Sequence, residues 1–280
     1  MKIDFGYSPC PNDTFMFWGW VHGKLETSLT VAPELLDIQE LNRRALGAEN
    51  LPFTKVSVAT YLQPAVRERY RLLTTGAALG RGCGPLVVSA RPWSLQEPRL
   101  LKLAVPGRDT TACRLARMAL GEWVSEWVEM RYDEIMPAVL EGSRVDAGVI
   151  IHESRFAYQK LGLACAFDLG EWWEKETGLP LPLGLMLAHR DVEEKITGQV
   201  EEVLRQSILL ARTVMAAGPT HPEARSLWTY LRANAIELED QTIASHIDLY
   251  VNDFSVDLGE EGRAAMEAFE RLVEDLPAES

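Results

Sequence analysis

Residues 3–15 read Ile3-Asp4-Phe5-Gly6-Tyr7-Ser8-Pro9-Cys10-Pro11-Asn12-Asp13-Thr14-Phe15, and this stretch decides the fold. Apolar and polar residues alternate over 3–7, the period of a strand. The apolar run from Phe15 to Val21 predicts a helix over about 14–22. Two prolines stiffen the junction between them, and Asn12 and Asp13 are residue types that cap helices. Such a turn presents Ser8, Cys10 and the N–H groups of a helix start at the carboxyl end of a strand. Open α/β sheets bind their ligands there.

Outward from that turn, strands keep alternating with helices. A helix near 38–47, a strand near 53–58, a helix near 59–69 and a strand-like run at 85–89 complete a first unit. The glycine-rich passage 76–84 between them reads as a crossover whose backbone approaches closely or pivots. A second unit begins near 100, with strands at 101–105, 128–132 and 145–151 and helices at 110–120 and 133–141. The run Val145-Asp146-Ala147-Gly148-Val149-Ile150-Ile151 is nearly continuous in apolar residues, as in a strand buried on both faces of a parallel sheet. Strands near 164–168 and 183–188 lead back, and helices near 192–217, 222–234, 239–251 and 259–275 follow. The pattern predicts an α/β protein with parallel sheets and two lobes joined by two crossings. Residues 1–95 plus 190–280 form one lobe and 96–189 the inserted other, with a ligand cleft between them.

The chain has 280 residues, 47% hydrophobic and 25% charged, enough for a sizeable core. Its net charge of −13 argues against nucleic acid or an anionic membrane as partner, but a helix start and one or two cations still suit a small anion. No stretch approaches the ~18 apolar residues of a membrane span. The start MKIDFGYSPC lacks the apolar core of an export signal, so a cytoplasmic location is expected. Cys10, Cys83, Cys113 and Cys165 lack metal-ligand spacing and read as thiols in a reducing compartment.

Four polar groups fall where predicted strands end: Ser8, Ser57, the pair Thr110-Thr111, and His152. Hydroxyls there serve as helix caps, but in a two-lobed protein strand ends from both lobes face one cleft, where these donors suit a carboxylate or a diol. His152 ends the most apolar strand and is the candidate base near neutral pH, with Glu153 or Arg155 to orient it or bind substrate. The other four histidines, His246 among them, read as structural or surface residues. Lys55 and Arg81 are candidate cations for an acidic ligand. Cys10 sits at a helix start, which lowers a thiol pKa, but no partner for a nucleophile is evident nearby. Trp172-Trp173 reads as either a lid over a ring-shaped ligand or lobe packing.

Several segments together carry a resemblance over essentially the whole chain. They are 8–15 (SPCPNDTF), 54–57 (TKVS), 80–88 (GRGCGPLVV), 105–111 (VPGRDTT), 148–156 (GVIIHESRF) and 168–173 (DLGEWW). The chain resembles the 1,4-dihydroxy-6-naphthoate synthases of the futalosine route to menaquinone. The resemblance implies a type II periplasmic-binding-protein fold used as an enzyme without metal or organic cofactor. It implies that cyclic dehypoxanthinyl futalosine, a small carboxylate, is split to 1,4-dihydroxy-6-naphthoate and dihydroxyacetone. His152 would be the proton acceptor, with Lys55, Val56 and Ser57 in one substrate-binding stretch and Thr110 and Thr111 in another. Ser8, Asn12 and Arg81 complete the expected site. Two rivals share the fold: a non-catalytic binding protein for a small anion, and a chorismate dehydratase-like enzyme of the same pathway. Oligomeric state is left open.

Overall fold

The computed structural model describes residues 1–92, 100–152, 154–235, 239–274 and 276. Its described strands are, in chain order, β1 (Lys2–Tyr7), β2 (Thr30–Leu35), β3 (Phe53–Ser57), β4 (Tyr70–Leu72), β5 (Ala78–Gly80), β6 (Leu86–Ser89), β7 (Leu101–Val105), β8 (Val124–Glu129), β9 (Ala147–Ile150), β10 (Ala164–Asp168) and β11 (Leu181–His189). They form two sheets. One has the order β2-β1-β3-β11-β4, with β5 also paired to β11; the other runs β10-β6-β9-β7-β8.

The sheets revise two expectations. The strand 86–89 belongs to the second sheet, antiparallel to β9, and β11 belongs to the first, antiparallel to β3. The crossings therefore run through 81–85 and 169–180, so the expected boundaries at 95 and 189 both fall too late. The sheets are also mixed rather than parallel. Chains linked by helices enter in parallel, as β1 does with β2 and β3, and β7 with β8 and β9. The strands that carry the chain across, β6 and β11, instead pair antiparallel, with β9 and with β3.

The two crossings touch each other. Gly84 has φ +124, and a Cβ on Gly170 would sit 1.9 Å from the carbonyl oxygen of Cys83. Glycine here allows close backbone approach. Arg155 fastens the same point, donating to Gly84 O at 2.8 Å and to Asp168 Oδ2 at 2.9 Å.

The helix Pro11–Val21 is buried along Pro11–Trp20, as its apolar sequence on all sides requires. Tyr7 stacks on Phe17 at 3.9 Å between ring centres, and the long helix Glu194–Ala217 packs behind, with Ser207 Oγ accepting from Trp20 N. Pro64 divides the expected 59–69 helix into Val58–Tyr61 and Pro64–Arg69. The strand expected at 128–132 lies at Val124–Glu129. β2 went unread because Pro33 interrupts its pattern, a residue tolerated on an edge strand. The helix Leu169–Thr177 also went unread; it holds both tryptophans. Trp173 is fully buried, with Nε1 donating to Pro180 O, and Trp172 packs against the same core, so the pair serves packing and not as a lid. No described helix is long and apolar enough to cross a membrane.

Candidate active site

Four strand ends converge on one cavity. β1 delivers Ser8 and, through the following helix, Asn12. β3 delivers Lys55 and Ser57, the turn after β7 delivers Thr110 and Thr111, and β9 runs out at Ile151 and His152. Strand alternation points Lys55 and Ser57 at the cavity and turns Val56 into the hydrophobic core, so Val56 offers only its backbone. The lobes meet around the cavity. Asp109 O accepts from Thr60 Oγ1 at 2.8 Å, and Thr111 Oγ1 donates to Leu183 O at 2.9 Å.

A carboxylate anchors one wall. Asp13 is fully buried; its Oδ2 accepts from Ser8 N (3.1 Å) and Ser8 Oγ (2.5 Å), and its Oδ1 accepts from Asn12 Nδ2 (2.9 Å) and Lys55 Nζ. These bonds correct the sequence reading of the turn. The helix begins with Cys10 as N-cap and no side-chain cap, while Asn12 and Asp13 face inward. The hydroxyl proton of Ser8 goes to Asp13, and Lys55 is a buried ion-pair partner whose ammonium still reaches the cavity wall.

On the facing wall, Thr110 caps the helix Thr111–Leu120, accepting from Cys113 N (3.2 Å) and donating to Gly107 O (2.7 Å). Both threonine hydroxyls are therefore engaged, and what this wall offers a ligand is the N–H groups of the first helical turn, which have no intrahelical acceptor. Ser57 is gripped by Asn42, whose Oδ1 accepts from Ser57 N (2.8 Å) and whose Nδ2 donates to Ser57 Oγ (3.0 Å). The ammonium, the serine hydroxyl and the helix start form a donor set suited to a carboxylate.

His152 has φ +57, the one positive value at a non-glycine position among the described residues. That backbone costs on the order of 1 kcal/mol or more and is held at functional sites by surrounding contacts. Its Nδ1 lies 3.0 Å from Cys10 Sγ, and Tyr132 meets its ring edge-on at 5.0 Å. Burial, and then the charge of Lys55, pull its pKa down to about 3. The ring is thus neutral at physiological pH but a weaker base than the value near 7 expected from its position alone. Glu153, proposed above as its orienting group, lies outside the described residues; Arg155 serves the crossing instead.

Arg81 does not reach the cavity. It lies on the surface, donating to Glu261 Oε1 (2.7 Å) and Gly178 O (3.0 Å). Sequence reasoning missed Asn42, the Cys10–His152 pair, and two residues of the helix Asp240–Tyr250, His246 and Tyr250, which close the cavity. No local signal marked these: Cys10 and His152 are 142 positions apart, and His246 is 234 from its partner Asn12. Among the described residues no cluster of His, Cys, Asp or Glu has the arrangement of a metal site.

Comparison with known proteins places this geometry. Residues 3–275 match the family model described as menaquinone biosynthesis. The chain is 49% identical to a 1,4-dihydroxy-6-naphthoate synthase of Thermus thermophilus over 94% of its length and 91% of the relative's. It is 40% identical to the enzyme of the same name from Streptomyces coelicolor, over 94% and 90%. A solved protein of Archaeoglobus fulgidus superposes with TM-score 0.85 at 34% identity, covering 98% of this chain and 97% of that one. The aliphatic sulphonate binding protein of Escherichia coli superposes with TM-score 0.61 at 14% identity, over 98% and 92%, which shows a shared periplasmic-binding-protein fold and no more. With the family model matched over residues 3–275 and relatives at 49% and 40% identity over 94% of its length, the chain belongs to the menaquinone-biosynthesis family, among relatives that are 1,4-dihydroxy-6-naphthoate synthases.

Proposed function

We propose that the chain cleaves cyclic dehypoxanthinyl futalosine to 1,4-dihydroxy-6-naphthoate and dihydroxyacetone, a carbon–carbon lyase reaction with His152 as proton acceptor. The observation that carries this reading is a neutral histidine, held in a strained backbone at a strand end, on the wall of a cavity lined with carboxylate-binding donors. The substrate carboxylate lies against Lys55, Ser57 and the first turn of the helix Thr111–Leu120. His152 takes a proton from the ring system, and the electron pair left behind drives an elimination that ends in an aromatic product. Aromatic stabilisation supplies much of the driving force, so one positioned base and a cleft that holds the ring system still suffice. A depressed pKa has two consequences here. The base is unprotonated at any physiological pH, and an anion entering beside Lys55 offsets the ammonium and raises the proton affinity of His152 as the substrate binds. Cys10 Sγ against Nδ1 fixes the ring and leaves Nε2 to face the substrate when Nδ1 holds the proton.

The test is naphthoate formation from cyclic dehypoxanthinyl futalosine by wild type and His152→Ala. Loss of a general base should lower kcat by about 10²–10⁴ with little change in KM. A variant within a few-fold of wild type removes His152 from the chemistry; a wild type that binds the substrate but forms no product overturns the synthase reading in favour of a binding protein.

A further inference from the structure

His246 has one ring nitrogen occupied and one empty. Its side chain is 1% exposed and forms part of the cavity wall. Nε2 lies 3.1 Å from Asn12 Oδ1, while Nδ1 is buried and meets no described partner. The protons on this ring follow from the Asp13 network. Asp13 accepts from Asn12 Nδ2, so the amide of Asn12 must turn its oxygen, an acceptor only, toward His246. Nε2 therefore carries the proton. The ring is neutral, since burial above all, and then the nearby charge of Lys55, disfavour a second one. Nδ1 is left as a bare lone pair in a place where polar groups are almost always satisfied.

We propose that His246 contacts the substrate directly, its Nδ1 accepting a hydrogen bond from a substrate hydroxyl and so fixing the hydroxylated end of the substrate beside His152. The inference rests on the cleft being the substrate site. The class of partner follows from the lone pair: it repels a carboxylate and accepts only from a donor, which for this substrate class is a hydroxyl. The position follows from the helix Pro11–Val21, because His152 is tied to Cys10 and His246 to Asn12, two residues apart at the same helix start. The carboxylate end must then lie at the donor-rich wall of Lys55, Ser57 and Thr111, which sets the direction of the substrate in the cleft.

Two substitutions separate this role from a structural one. His246→Gln puts its terminal amide where Nε2 stands, keeping a donor to Asn12 and deleting the Nδ1 acceptor. His246→Asn puts its amide oxygen where Nδ1 stands and gives up the Asn12 bond. Melting temperature, kcat and KM are measured for wild type and both variants on cyclic dehypoxanthinyl futalosine. His246→Gln should melt near wild type but lose about tenfold in kcat/KM, whereas His246→Asn should melt lower yet stay within about threefold. Wild-type kcat/KM in His246→Gln, or a greater activity loss in His246→Asn than in His246→Gln, overturns the inference alone. A wild type that forms no product overturns the reading of the cleft, and the inference with it.

Discussion

Replacing Asp13 by Asn tests whether the wall of the cavity is built on a buried charge. Asp13 is fully buried, pairs with the nearly buried Lys55, and accepts from three further donors on Ser8 and Asn12. The asparagine has the same shape but one oxygen fewer and two N–H donors in its place. Lys55 must then either lose its proton or stay charged in the interior without a counter-ion, and one N–H of the new amide faces a donor. Removing one member of a buried pair costs about 3–5 kcal/mol. Unfolding entropy of about 2.1 cal/mol/K per residue gives about 0.6 kcal/mol/K for a chain of 280 residues, so the melting temperature should fall by about 5–8 °C. Thermal unfolding followed by circular dichroism measures this. Adding Lys55→Met to Asp13→Asn should recover most of the lost stability, because no buried charge remains, while turnover stays lost for want of the ammonium. If Asp13→Asn melts within about 1 °C of wild type, the reasoning fails and the pair is not the anchor of the wall.

Two further outcomes follow from the same structure. The pKa of His152 falls from 6.5 to about 3 on folding, so the unfolded chain takes up a proton first as pH drops, and the stabilisation present above 6.5 is lost toward 3. Denaturant unfolding should show wild type losing about 1.4 kcal/mol per pH unit below 6.5 relative to His152→Gln; parallel pH profiles for the two proteins would refute a neutral His152. Gly170→Ala should destabilise by about 1–3 kcal/mol and lower turnover, since its Cβ would meet backbone, the carbonyl of Cys83, at 1.9 Å; wild-type melting and activity would mean that the two crossings do not need their close approach.

The sequence by itself determined what depends on neighbouring residues. The strand-turn-helix at 3–21 and the alternation of strands with helices follow from periodicity and turn chemistry. So does the buried strand that runs out at His152, and these signals placed Ser8, Ser57, Thr110, Thr111 and His152 at strand ends. Only the tertiary structure decided what depends on distant partners. Whether 86–89 joins the first or the second sheet turns on hydrogen bonds to β9, some sixty residues on, and no local preference distinguishes the two. Lys55 and Arg81 are both cations near strand ends, but strand alternation and lobe closure bury the first against Asp13, whereas glutamates on two surface elements hold the second outside. The pKa of His152 and the empty nitrogen of His246 come from burial and from charges brought in by other segments. The chain thus declared which residues stand at the mouth of the cleft, while packing of the lobes decided which of them face it, in what charge state, and with which hydrogen-bonding valence unspent.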